Sequence, residues 1–375
     1  MKKDKATLIL SDGSKFEGTA FGYKRSTAAE VVFTTGMVGY DLSLTDPSYA
    51  GQILTFTYPL IGNWGIPKKE HLESEKIHAK GVVISDLSIN PNHHAQVQTL
   101  NTWLIKEKIP AIVGIDTRAL TQKLREKGVM LGKIIIDSNN VPFFDPNLTN
   151  LVAQVSIKEL KVWQPVIDNQ QPAIKIGLLN CGAKRNIIRC LTARGVTVYE
   201  LPWDYDPFKN KLPIDGLVIS NGPGDPKMAT KSIAIIKKAL ERKMPTFGIC
   251  LGNQLLALAA GGDTYKLKFG HRAQNQPTIE VGNLPAGRQA NKCYITSQNH
   301  GFTVNEKKMP TGFKRWFYNA NDNTNEGIKH DKLPFYSVQF HPEAAPGPTD
   351  TEFLFDYFLN IVKKNRSSYF LKEFK

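Results

Sequence analysis

Pro245-Thr246-Phe247-Gly248-Ile249-Cys250-Leu251-Gly252-Asn253-Gln254 runs from an apolar strand, through a cysteine with glycines two positions to either side, directly into a helix. This is the nucleophile-elbow order of Gly-x-Ser-x-Gly, with sulfur in place of oxygen. The glycines permit a sharp turn and let neighbouring backbone come close, so the side chain between them projects into a cleft. A thiol there sits at a helix N-terminus, whose partial positive charge favours the thiolate. Taken alone, the segment also fits a small cysteine buried at a strand end, so the choice rests on what surrounds it.

Outward from the elbow the chain keeps one rhythm. IKIGLLN (174–180) is a buried-strand run, AKRNIIRCLTARG (183–195) an amphipathic helix ending at Gly195, and VTVYELP (196–202) and DGLVIS (215–220) are strands. KSIAIIKKALERK (231–243) is a helix, followed by the elbow strand and the helix LGNQLLALAA (251–260). Strands alternating with helices of this length predict βαβ units and a parallel sheet covered on both faces.

Before residue 150 the pattern differs. ATLIL, SDGS and KFEGTAFG read as a hairpin around an Asp-Gly turn, with more strand at Glu30–Thr34 and Gln52–Thr57. A helix is expected from about His94 to Glu107. The apolar run AIVGI follows, and then a helix capped by Asp116 and closed at Gly128. The expected organisation is a mixed α/β domain over 1–150, a polar, proline-bearing linker over 151–173, an α/β domain over 174–365, and a basic tail over 366–375.

Composition bounds the function. With 375 residues, 41% apolar and 22% charged, the chain is long enough for two folded domains. No stretch approaches the ~18 apolar residues of a membrane span. Met-Lys-Lys-Asp-Lys leads straight into a strand pattern, so no membrane association and a cytoplasmic location are expected. The four cysteines show no Cys-x-x-Cys pair, which makes reduced thiols the default. The net charge of +14 is scattered, often beside acidic residues, whereas a nucleic-acid footprint is clustered. No nucleic acid is expected as a partner.

Two further motifs supply what a thiol nucleophile needs. In Val338-Gln339-Phe340-His341-Pro342-Glu343, proline biases His341 to an extended conformation, so residues 341 and 343 share a face and the carboxylate can orient the imidazole. The glycine turn Ser220-Asn221-Gly222-Pro223-Gly224-Asp225 lacks the Lys-Ser/Thr of a phosphate loop, but it can aim backbone N–H groups at an oxyanion, with the amide of Leu251 as second donor. Gln254 lies one helical turn from Cys250, where its amide can recognise polar substrate groups.

These three motifs, in this order, resemble a class I, triad-type glutamine amidotransferase. In the N-terminal half, Thr35-Gly36-Met37-Val38-Gly39-Tyr40, Leu44-Thr45-Asp46-Pro47-Ser48-Tyr49, Tyr58-Pro59-Leu60-Ile61-Gly62-Asn63 and Gly114-Ile115-Asp116-Thr117-Arg118-Ala119-Leu120-Thr121 resemble the domain peculiar to the glutamine-hydrolysing small subunit of carbamoyl-phosphate synthetase. The resemblance implies a flavodoxin-like C-terminal domain with a mostly parallel sheet. It implies Cys250, His341 and Glu343 as the triad, and Ser48, Gly222, Gly224, Leu251, Gln254, Asn299, Gly301 and Phe302 as the residues that hold L-glutamine. The implied partner is a large synthetase subunit in a heterodimer, or a higher assembly of heterodimers. That subunit uses ATP, Mg and K to make carbamoyl phosphate from bicarbonate and ammonia for pyrimidine or arginine synthesis, and no metal or cofactor is implied in this chain.

The chain departs from the family pattern at Asn253, where histidine is usual, and at Ala273-Gln274 within Phe269-Gly270-His271-Arg272-Ala273-Gln274-Asn275. Besides a basic nucleic-acid binder, which would bind oligonucleotide with a steep salt dependence, two rival readings carry their own signatures. A cysteine hydrolase for another amide would lack the set around Ser48, Gln254 and Asn299. A subunit kept for docking alone would lack a triad member.

Overall fold

The computed structural model describes residues 4–137, 139–165, 174–282 and 292–373, the last seven of these by backbone only. They fall into two compact units, Met1–Leu151 with Lys268–Ala273, and Val152–Leu267 with Gln274–Lys375.

In the first unit the expected hairpin forms from Lys5–Leu10 and Lys15–Gly22. Its strands join Pro110–Val113, Gly81–Ile84, Gln52–Phe56, Thr27–Thr34 and Met130–Ile136 in a closed barrel. Closure leaves no free edge among these strands, and inward residues such as Leu8, Val31, Ile53, Val83, Ile112 and Ile134 fill the interior. Asp116 caps Thr117–Lys127 by accepting the Ala119 N–H at 2.9 Å, and Gly128, at φ 100°, ends it. The other expected helix is shorter than its polar N-terminal stretch suggested: it spans Leu100–Lys106, begun by the Thr99 side chain, and residues from His94 to Gln98 stay outside it. Within this unit Phe269 packs on Phe33 with ring centroids 6.3 Å apart, and the Thr35 N–H donates to the Arg272 carbonyl.

In the second unit ten strands form one sheet. Its centre is parallel, as the βαβ rhythm predicts, and runs in the order Val196–Pro202, Ile174–Asn180, Gly216–Ile219, Thr246–Ile249 and Phe335–Val338. Alternate residues serve opposite faces. Val218 and Phe247 pack under the helices Arg185–Thr192 and Phe353–Glu373, while Leu217 and Ile219 pack under Thr230–Glu241 and Leu251–Ala259. Beyond Phe335–Val338 the sheet continues through Asn325–His330, Phe313–Asn319, Thr264–Glu280 and Lys292–Val304, an antiparallel wing that no motif announced.

The stretch expected as a linker carries a helix, Leu151–Val155, and a strand, Lys161–Trp163, on the sheet's edge; residues 166–173 of that linker lie outside the described residues. The terminal helix Phe353–Glu373 runs through most of the stretch set apart as a basic tail. Among the described residues no helix is long and apolar enough to cross a membrane.

Candidate active site

Three neighbouring parallel strands bring the three motifs to one end of the sheet. Thr246–Ile249 lies between Gly216–Ile219 and Phe335–Val338, so Cys250, the glycine turn and His341 all emerge from adjacent strand carboxyl ends. Open α/β sheets bind ligands in that position.

The elbow is tight. Cys250 sits at φ 55°, ψ −103°, outside the comfortable region for a side-chain-bearing residue, and its N–H is held by the Val338 carbonyl at 2.8 Å. Both flanking glycines are sterically required: a Cβ on Gly248 would lie 2.5 Å from the Gly252 carbonyl oxygen, and one on Gly252 would lie 2.3 Å from that of Ile219. Gly252→Ala is therefore expected to destabilise the protein by about 1–3 kcal/mol and to disturb the placing of the Cys250 thiol. Denaturant unfolding checks the first effect, and the alkylation rate of Cys250 checks the second.

Gly222 passes closer still, since a Cβ there would meet the Cys181 carbonyl oxygen at 2.1 Å and the Leu251 side chain at 2.8 Å. Ser220 Oγ accepts from the Cys181 N–H and donates to the Asn221 carbonyl, while Asn221 Oδ1 accepts from the Lys184 N–H. The glycine turn is thereby fixed beside the start of the elbow helix. Among the described residues the N–H groups of Gly222 and Leu251 make no hydrogen bond, which leaves both as donors for an oxyanion. Gly224 has φ 81°, which glycine adopts freely.

His341 and Glu343 pair as their spacing predicts. His341 Nδ1 lies 2.6 Å from Glu343 Oε1, with both side chains buried, and the His341 N–H donates to the Ser297 carbonyl. Burial opposes the imidazolium, but the charge of Glu343 and then that of Cys250 outweigh it and raise the His341 pKa to about 10. Burial likewise opposes the carboxylate, but Lys184 and His341 hold Glu343 down at about 2. Among the described residues His341 Nε2 has no nitrogen or oxygen partner, and the ring interacts with Cys250, so Nε2 is left for the reaction.

Sequence reasoning missed Lys184, read there only as part of an amphipathic helix. Its ammonium is buried, 3.1 Å from Glu343 Oε1, and also donates to the Ala344 carbonyl; Asn186 donates to the Glu343 carbonyl. Ala344 and Ala345 both have positive φ, so the backbone after Glu343 follows a path unusual for alanine. No local signal marks Lys184, because its partner comes from the far end of the domain.

The remaining candidates divide between the units. Asn299, Gly301 and Phe302 lie on Lys292–Val304; the Asn299 carbonyl lies 3.6 Å from Cys250 Sγ, and the Phe302 carbonyl accepts from Gln254 Nε2 at 2.8 Å. Gln254 Nε2 also donates to Gln339 Oε1 at 3.2 Å, so Oε1 is the atom that Gln254 offers a ligand. Ser48 belongs to the first unit, in the turn Pro47–Tyr49, where its N–H donates to Asp46 Oδ1 at 2.9 Å.

The shifts give a pH signature. Glu343, depressed from 4.5 to about 2, contributes stability that is complete above pH 4.5 and lost as pH falls toward 2. His341, raised from 6.5 to about 10, contributes stability that is complete below pH 6.5 and lost as pH rises toward 10. The stability deficit of Glu343→Gln is therefore expected to be largest between those two ordinary values and to shrink on either side. Unfolding measured across pH checks it, and a flat deficit would contradict it.

Comparison with known proteins bears on both units. The family described as glutamine amidotransferase class-I matches residues 177–361, and the carbamoyl-phosphate synthase small chain, CPSase domain, matches residues 8–134. The multifunctional protein CAD of Squalus acanthias is 50% identical over 96% of this chain, and the match covers 16% of that protein. The mitochondrial carbamoyl-phosphate synthase [ammonia] of Rattus norvegicus is 44% identical over 98% of this chain and 24% of that protein. The chain thus spans about a sixth to a quarter of the length of these relatives. A solved glutamine amidotransferase of Thermotoga maritima is 17% identical, with 52% of this chain and 86% of that one aligned at a TM-score of 0.37.

Proposed function

Because the chain belongs to the family of carbamoyl-phosphate synthase small chains, with a class-I glutamine amidotransferase domain, we propose that it hydrolyses L-glutamine to glutamate and ammonia for a synthetase partner. The observation that carries this reading is the arrangement of three side chains: Cys250 strained at the elbow, His341 close enough to feel its charge, and Glu343 holding His341.

The Cys250 thiolate attacks the side-chain amide carbon of glutamine. The Leu251 and Gly222 N–H groups hold the tetrahedral oxyanion, where losing one donor typically costs on the order of a hundredfold or more in rate. The His341 imidazolium passes its proton to the departing nitrogen, which leaves as ammonia, and a γ-glutamyl thioester remains on Cys250. Neutral His341 then takes a proton from water. The resulting hydroxide adds to the thioester, the C–S bond breaks, and glutamate leaves with the thiolate–imidazolium pair restored. Gly224, Gln254, Asn299, Gly301 and Phe302, with Gly222 and Leu251, hold the substrate. Each step uses groups of this chain, so no cofactor or metal is called for within it.

The partner is the large, synthetase part of carbamoyl-phosphate synthase, which uses ATP, Mg and K to make carbamoyl phosphate for pyrimidine or arginine synthesis. It is either a separate subunit in a heterodimer or the continuation of a longer polypeptide, as the length of the relatives favours. A reducing, cytoplasmic setting suits the four free thiols, one of them the nucleophile. Similarity to a relative named for ammonia does not choose the nitrogen donor, whereas the triad does. Glutamate release from glutamine, with and without the synthetase part, tests the reading: release that rises with the partner supports it, and none from the complete enzyme overturns it.

A further inference from the structure

Asn253, one of the positions where the chain leaves its family pattern, is completely buried in the third residue of the elbow helix, beside residues that contact the candidate substrate site. Its Nδ2 donates to Gln339 Oε1 at 3.1 Å, and its Oδ1 accepts from Ser337 Oγ at 2.8 Å. The same Gln339 Oε1 accepts from Gln254 Nε2, whose second hydrogen goes to the Phe302 carbonyl. Gln339 is itself completely buried, and among the described residues its own Nε2 has no partner. Turning the Gln339 amide over would set that Nε2 against two donors, so the Asn253 and Gln254 N–H groups together fix which way Gln339 faces.

From this arrangement we propose that Asn253, acting through Gln339, is a positioning residue for glutamine: it locks the Gln254 amide so that only Oε1 faces the substrate. The inference rests on the glutaminase reading above. Rotation about the terminal torsion of a glutamine side chain is soft and roughly two-fold. Gln254 therefore needs an external constraint to present an acceptor and not a donor. The Phe302 carbonyl supplies one such constraint and Gln339 a second, the latter only while its oxygen points toward Gln254, an orientation that Asn253 and Gln254 hold together. With the second constraint removed, Gln254 is held by the Phe302 carbonyl alone, its Oε1 is aimed at the ligand less firmly, and ground-state binding weakens. The Asn253 side chain bonds Gln339 and Ser337 and neither Cys250 nor His341, so the chemical step should change little.

Three variants separate the possibilities. Asn253→Ala removes the donor. Asn253→Asp keeps the size and the Ser337 contact, but sets an acceptor against Gln339 Oε1 and favours the reversed amide. Asn253→His, the residue usual in the family, restores a ring N–H donor. In the full-length enzyme the alanine and aspartate variants are expected to raise KM for glutamine about three- to tenfold, the range of one lost neutral hydrogen bond, with kcat within about twofold. The histidine variant should return KM to near the wild-type value. A second readout needs no turnover: the rate at which iodoacetamide alkylates Cys250, and the glutamine concentration that protects it. The expected result is an unchanged alkylation rate with weaker protection in the alanine and aspartate variants. Equal falls in kcat and kcat/KM, an altered alkylation rate without glutamine, or failure of histidine to restore KM would each overturn the inference. Absence of glutamate release by the wild type would instead remove the reading on which it rests.

Discussion

Cys250→Ser is expected to lower glutamine hydrolysis at least about a thousandfold while leaving the fold and the binding of glutamine in place. Knocking out a single nucleophile in a hydrolytic triad removes nearly all the catalysis the triad supplies. Serine is close in size to cysteine, and the elbow holds residue 250 through the backbone, by the Val338 carbonyl and the two glycine passages. Its hydroxyl is a much poorer nucleophile than a thiolate at neutral pH. Glutamate release measured alongside thermal unfolding checks the prediction. Residual turnover within tenfold of wild type would mean that the nucleophile lies elsewhere.

The second large effect concerns Lys184. Lys184→Met is expected to destabilise the protein by about 3–5 kcal/mol, because it leaves the buried Glu343 carboxylate without the cation 3.1 Å away. With that cation absent, Glu343 ionises less readily and holds the imidazolium of His341 less firmly, so kcat/KM should fall at least about tenfold. Lys184→Arg keeps the charge but not the shape, since the forked guanidinium is larger than an ammonium and the pocket closes on Ala344 as well as Glu343. It should recover part of the stability and little of the activity. Denaturant unfolding and glutaminase kinetics on the same preparations decide. A methionine variant as stable as wild type would show that the ion pair contributes nothing net, as some buried pairs do.

What could be read in the sequence was local or periodic. The elbow lies within ten residues, His341 and Glu343 are two apart, and the βαβ rhythm shows in apolar runs of strand and helix length, so the parallel centre of the sheet, the elbow turn and the His341–Glu343 pair followed from short-range patterns. The Asp116 cap and Gly128 stop were visible for the same reason. What was not visible depends on pairings distant in sequence. The barrel joins its strands in an order unlike their order in the chain, and the antiparallel wing has no motif of its own. Lys184 looked like any lysine at a helix start until the fold brought Glu343 to it. The helix placed from His94 was overextended because polar residues near a helix start leave its first turn undefined, and the Thr99 cap settles where it begins. Asn253 stood out as a departure, but its bond to Gln339 appears only in three dimensions.

The central claim is that Cys250 attacks glutamine and carries its acyl group. Mixing the full-length enzyme with glutamine, quenching in acid within the first turnovers and analysing its peptides by mass spectrometry tests this directly. The account predicts a γ-glutamyl thioester on the peptide that contains Cys250, present in the wild type and absent in Cys250→Ser. Glutamate formed with no adduct on Cys250, or an adduct on another residue, would contradict it.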